Sequence, residues 1–273
     1  MHSGHRRALK TREGRGEVNN DTIMAPLFQR LQTTTGAGPD DLIALKALPY
    51  TLRQFRANQT IVGDGEGPSE CCLVADGFCV RAKTVADGRR QILSIHIPGD
   101  LPDLQNLHLA TTDHDLVALS DCTLAFIAHA ALRELFRSRS SVGDIFWRDT
   151  LLDAAVSREW IVNVGQRAAH SRLAHLIVEL RERLRLIGCV AGNVIAMPLT
   201  QEQLGEAMGM TSVHTNRILR QLRMDGVVEF QRGTVKILNE NKLQRLAQFD
   251  GRYLHLTPSS RDLARGECPR HRA

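Results

Sequence analysis

No stretch of this sequence approaches the ~18 consecutive apolar residues of a membrane-spanning helix. The opening residues, MHSGHRRALKTREGRGE, lack the apolar segment of a secretory signal, so a cytoplasmic protein without a membrane partner is expected. None of the six cysteines, at 71, 72, 79, 122, 189 and 268, forms a C-x-x-C pair, and no histidine pair stands near one at zinc spacing. Reduced thiols in small buried or surface positions follow, with adjacent Cys71 and Cys72 the pair to examine for redox or metal chemistry. His96, His108, His114 and His129, with Asp100, Asp103, Asp113 and Asp115, match no tight ligand spacing, so no metal is expected. No Ser/His/Asp, Cys/His or paired-carboxylate constellation sits on a recognisable frame, which points away from an enzyme. Gly63-x-Gly-x-Gly67 leads into β-rich sequence rather than a helix and is no dinucleotide fingerprint.

What is present is ordinary in bulk: 273 residues, 42% hydrophobic and 24% charged, enough for about two domains. The net charge of +5 favours an anionic partner only weakly. Residues 1–20 hold five basic and two acidic groups, and residues 250–273 hold five and three. The two ends therefore carry the whole excess. Residues 1–24 read as a disordered basic arm and 250–273 as a flexible tail.

Between them the texture changes twice. Residues 25–48 suggest one or two short helices broken at Gly36-Ala-Gly-Pro39. From Leu52 to Ile127, short β-rich runs alternate with turn signals such as Asp76-Gly77 and Asp87-Gly88, as in an antiparallel barrel or sandwich. Residues 130–187 return to helical periodicity. Segment 141–164 has apolar residues on more than one face, including Ile145, Leu152 and Val156, which suits a helix shared between its own domain and a second copy of the chain, or else a helix buried within one domain. Leu173, Leu176, Ile177, Leu180, Leu184 and Ile187 form one clean stripe.

The stretch from Leu199 to Leu238 is the most specific. Thr200 with Gln203 is a capping-box arrangement, and Gly209 permits a tight turn. Thr211 opens a second helix whose inner face is Ile218, Leu219 and Leu222. Ser212, Val213, His214, Asn216, Arg217 and Arg220 lie opposite. Two short strands around Gln231-Arg-Gly233 make a wing. Helix, turn, helix and hairpin form a winged helix-turn-helix, whose second helix enters the DNA major groove. Arg217 suits guanine and Asn216 adenine. Thr200, Thr211, Ser212, Arg220, Arg223 and Arg232 suit phosphates.

The order of β-roll, long helix and winged helix-turn-helix resembles the Crp/Fnr family, the cyclic-AMP receptor protein and fumarate–nitrate reductase regulator group. Leu199, Thr200, Leu204, Gly205, Gly209, Thr211, Arg217, Leu219 and Leu222 carry its DNA-binding motif, and Pro98-Gly99-Asp100 supports the roll. The resemblance covers about residues 40–245. It implies an α+β chain: a sensor β-roll like a cyclic-nucleotide-binding jelly roll (25–137), a dimerisation helix (138–166) and a winged helix-turn-helix (167–249). It also implies a homodimeric transcription regulator of a palindromic site, with double-stranded DNA, a second copy and RNA polymerase as partners. The alternative is a ligand-binding or scaffolding protein whose helix-turn-helix no longer binds DNA.

Two departures shape the expectations. Where the family often has Glu, this chain has Val213, which suits a thymine methyl and a different half-site. Relatives that bind cyclic nucleotide carry Gly-Glu and an Arg-Ser or Arg-Thr pair at the phosphate. Here Gly99, Asp100, Leu101, Asp103, Thr111 and Thr112 occupy the corresponding effector region, and no arginine occurs between Arg90 and Arg133. Carboxylates where an anion needs cations point away from cyclic AMP. The N-terminal arm has no cysteine before Cys71, against an iron–sulfur cluster held there. No cofactor is expected, and any effector is of unknown kind.

Overall fold

The structure, a computed structural model, describes residues 20–231 and 233–256. The arm over 1–19, Arg232 of the wing turn and residues 257–273 lie outside the described residues.

Seven strands build the roll: β1 (Thr51–Phe55), β2 (Thr60–Val62), β3 (Glu70–Asp76), β4 (Cys79–Thr84), β5 (Arg90–His96), β6 (Asp115–Ala118) and β7 (Cys122–Ala128). They form two antiparallel sheets, β1-β7-β3 and β2-β6-β4-β5. Phe55, Val74, Cys79, Leu116, Leu124 and Phe126 fill the space between them, so the alternation of each strand places one face inside.

Helices cover the outer face of the three-stranded sheet. They are α1 (Asn20–Thr35), α2 (Pro39–Lys46), α3 (His129–Ser138) and α4 (Ser140–Gln166). Here the expectation of an arm through residue 24 is corrected: Ile23, Met24, Leu27 and Leu31 are buried as one helical stripe against the roll. Gly99 makes that contact possible. A Cβ there would stand 2.8–2.9 Å from the backbone of Pro26 and Leu27.

The four-stranded sheet packs its outer face on the C-terminal domain. That domain comprises α5 (Ala169–Leu186), β8 (Val194–Ala196), α6 (Gln201–Met208), α7 (Ser212–Met224), β9 (Val228–Gln231), β10 (Thr234–Ile237) and α8 (Glu240–Ala247). Val80, Ala82 and Ile92 of the roll share one apolar core with Leu176, Leu180, Leu204 and Leu222. Two polar ties fix the junction: Arg90 to Glu206 at 2.8 Å, and the Gln203 amide donating to Asn58 at 3.2 Å. β8 joins the wing, giving the order β8-β10-β9; this third strand is not signalled by the sequence pattern.

The long helix is present as α4, but its dimer-facing residues differ from the expectation. Ile145 is buried in the chain's own core, and Val156 packs on the apolar core shared by roll and C-terminal domain. Leu152 and Val156 also line a small cavity against the roll. The outward stripe is instead Trp147 (65% exposed), Leu151 (49%), Ile161 (73%) and Val162. The inward and outward sets follow from 100° per residue, a rotation that apolar content alone does not resolve.

The tail expectation also changes at its start. Residues 251–254 form a single 3-10 turn that docks on α4 and α5. Tyr253 donates to Glu179 at 2.8 Å, and the rings of His175, Phe249 and Tyr253 cluster, with the His175 centroid 5.2 and 5.9 Å from the other two and those 5.8 Å from each other. Burial, then Arg167, lowers the His175 pKa to about 3, so the ring is neutral.

Candidate nucleic-acid interface

The two helices of the motif are positioned by their first residues. Thr200 Oγ1 accepts from the Gln203 N–H at 3.2 Å, and Gln203 Oε1 accepts from the Thr200 N–H at 2.9 Å. This reciprocal pair satisfies two of the donors that a helix start leaves open. At the other end, Gly209 takes φ +64 and ends α6 in a left-handed cap. Arg172 donates to the Met208 carbonyl at 3.0 Å and ties that end to α5. Thr211 then caps α7 by accepting from the His214 N–H at 3.3 Å.

The face of α7 splits cleanly. Thr215, Ile218 and Leu222 are buried. Ser212, Val213, Arg217 and Arg220 are exposed, Val213 at 80%. His214 and Asn216 are half-buried on the same side. Thr200 and Thr211 are exposed at the helix starts. Arg217 lies 2.8 Å from His214 Nδ1, and the Asn216 amide donates to Gln201 Oε1 at 2.7 Å. Gln201 was not singled out in the sequence, although its place directly after the Thr200 cap is the signal for it. Arg223 is held by Glu229 at 3.1 Å. Arg232 lies outside the described residues. The result is an exposed surface led by a helix N-terminus, with hydrogen-bond donors and one apolar side chain, which suits base edges and phosphates together.

The six residues expected in the effector region do not form one pocket. Asp100 and Leu101 line a space of about 80 Å³ between the roll, α4 and α5. Thr112 instead donates to the Gly63 carbonyl at 2.7 Å and braces the β2–β3 connection, while Thr111 is exposed. Asp103 turns into the roll, where it accepts the Cys72 N–H at 2.8 Å. The Gly99 carbonyl accepts from Arg30 at 2.9 Å.

Cations do reach Asp100, from outside the local sequence window. Arg183 of α5 approaches it at 2.7 Å and Arg30 of α1 at 3.5 Å. Burial alone would raise the Asp100 carboxyl, but Arg183, His96 and Arg30 hold it well below the usual carboxylate range. Arg30 also pairs with Asp149, and Arg81 with Asp153 at 2.6 Å. Each guanidinium is thus matched by a carboxylate, leaving no surplus charge for a phosphate. Burial, followed by the charge of Asp103, pushes the Cys71 thiol far above its ordinary range. Cys72 is raised by the same two causes in the same order. Both cysteines of the adjacent pair are therefore buried, un-ionised thiols.

Comparison with known proteins agrees with this geometry in both halves. Residues 52–139 match the cyclic nucleotide-binding domain, and residues 171–246 match the Crp-like helix-turn-helix domain. The chain belongs to the Crp/Fnr family. Crp/Fnr relatives include the transcriptional activator protein FnrL of Cereibacter sphaeroides, 25% identical over 195 residues that span 70% of this chain and 77% of that one. The nitrogen fixation regulation protein FixK of Rhizobium meliloti is 21% identical, spanning 72% and 88%. The solved structure of FixK2 from Bradyrhizobium japonicum superposes with a TM-score of 0.67 at 23% identity, covering 73% of this chain and 98% of that one. This Crp/Fnr chain is a DNA-binding transcription regulator rather than an enzyme. Among the described residues, no helix is long and apolar enough to cross a membrane.

Proposed function

We propose that this Crp/Fnr chain acts in the cytoplasm as a homodimer that binds a palindromic DNA site and recruits RNA polymerase. The observation that carries the reading is the start of α7. There a capped helix presents Ser212, Val213, Arg217 and Arg220 to solvent while Thr215, Ile218 and Leu222 anchor it. His214 and Asn216, with Thr200, Thr211 and Arg232, complete the DNA-binding set. Two such helices must stand ~34 Å apart to enter successive major grooves. The exposed stripe of α4 supports pairing of two copies. FnrL is named an activator, which favours activation here.

The sensor roll does not take cyclic AMP in this reading, and no cofactor is held. The balanced Arg30, Arg81 and Arg183 against Asp149, Asp153 and Asp100 support that, because displacing any carboxylate leaves a buried charge unpaired.

Selection of bound duplexes from a random DNA pool tests the reading. An inverted repeat with affinity falling steeply between low and physiological salt is the expected result. Failure to enrich any sequence overturns it. Calorimetric titration with cyclic AMP is expected to show no heat of binding, and a saturating isotherm would overturn that part.

A further inference from the structure

A second cavity lies where α1, the roll and the C-terminal domain meet. Its volume is about 600 Å³, within the range of small-molecule sites and far above the space beside Asp100. Ala25 and Pro26 of α1 form one wall and Phe78 of the roll another. Ile187, at the end of α5, and Ala196 and Thr234 of the wing sheet complete it. The lining is mostly apolar. Among the described residues that line it, the ionisable groups are Asp76, which is exposed, and Cys189, and none is a cation for a phosphate or carboxylate. Gln29 brings a side-chain amide that has no hydrogen-bond partner among the described residues. A donor and acceptor of this sort orient a ligand within an otherwise apolar site.

Where the cavity sits matters as much as its chemistry. α1 lies outside both matched domains, so this chain's own extension supplies a wall. The opposite wall belongs to the wing: the Met197 N–H donates to the Gly233 carbonyl at 2.7 Å, and Gly233 follows Arg232 directly. A molecule in this space touches the sensor roll, α1 and the wing together.

We propose that this cavity binds a neutral, largely apolar organic molecule carrying a hydrogen-bonding group for Gln29, and that its occupancy tunes DNA binding through the wing. The second half rests on the DNA-binding reading above. A ligand that contacts both domains favours the arrangement in which they stand as they do here, and the coupling is reciprocal.

The test uses the full chain and Nile red, a neutral apolar dye. Saturable fluorescence enhancement at one site per chain is expected. Ala25→Trp and Ala191→Trp fill the cavity from opposite walls at exposed alanines, and each is expected to weaken dye binding at least tenfold. Leu109→Ser, an exposed apolar position away from the lining, is expected to leave it unchanged and so measures adsorption to the surface. Absence of saturable binding, or binding that survives both fillers, overturns the site. Saturating dye is also expected to shift the half-saturation of the selected DNA by about fivefold or more. Dye binding with unaltered DNA affinity overturns the regulatory half. Dye binding by a chain that selects no DNA leaves the cavity standing and removes the functional reading instead.

Discussion

Arg217 stands one turn into α7, its guanidinium 2.8 Å from His214 Nδ1. A guanidinium held there is partly ordered before it meets a base, which lowers the entropy lost on binding. Arg217→Ala is expected to weaken specific binding by about 1–3 kcal/mol and to relax preference at one base position per half-site. Competition between matched and altered duplexes reads both. Equal weakening on every sequence would reassign the side chain to phosphate. Asp103 is a different case. Burial raises its pKa to about 6 despite the Cys72 N–H. Because the folded value exceeds the unfolded one near 3.9, ionisation opposes folding above pH 6, and the penalty fades as pH falls toward 4. Asp103→Asn removes that titration. The stability difference between wild type and variant is therefore expected to move toward the wild type by about 2–3 kcal/mol between pH 7 and pH 4. Urea unfolding of both proteins across that range measures it, and a constant difference refutes it. The exposed face of α7 was legible because local spacing sets the outer face of a capped helix. The environment of Asp100 was not, because Arg30 and Arg183 reach it across 70 and 83 positions of chain.

At the scale of elements, the strongest constraint on the motif is the approach of α6 to the turn after it. Gly205 is buried, and a Cβ there would stand 2.5 Å from the Met210 carbonyl oxygen, a backbone atom that cannot rotate away. Alanine is otherwise the better helix former by about 1 kcal/mol. Gly205→Ala is nevertheless expected to destabilise the protein and to lower DNA affinity, since the turn must open to admit the methyl group. Thermal unfolding decides it: a raised midpoint would show that the helix preference wins. Most elements were legible for the same kind of local reason. Asp-Gly at 76–77 and 87–88 falls at the β3–β4 and β4–β5 turns, and the Thr200 and Thr211 caps open α6 and α7. β8 escaped notice because three residues give no period, and its place is set by pairing with β10. The docked turn at 251–254 was hidden for a similar reason. Its four residues show no period and are held by Tyr253 reaching a buried glutamate on α5 and by buried Leu254.

For the whole molecule, the arrangement turns on α4, which carries the chain's own core on one side and leaves an apolar stripe on the other. Trp147, Leu151, Ile161 and Val162 recur at helical spacing along the outer face of its 27 residues. A surface row of this length suits burial against a second helix, which in the proposed homodimer comes from another copy of the chain. Sequence periodicity showed that α4 has two apolar faces. It could not say which belongs to which neighbour, because Ile145, Leu152 and Val156 read equally well on either. The structure assigns those three inward, so the disruptive substitutions are at the outer positions. Leu151→Glu combined with Ile161→Glu places two charges per chain in the shared seam while touching no buried residue, so the fold of each chain is expected to survive. Native mass measurement should then report a single 30.4 kDa chain where the unaltered protein reports two. Affinity for the inverted repeat is expected to fall by at least about 100-fold, because two half-site contacts no longer act as one binding event. Retained dimer mass in the double variant would refute pairing through α4. Monomer mass with undiminished affinity would show that each copy reads its half-site alone.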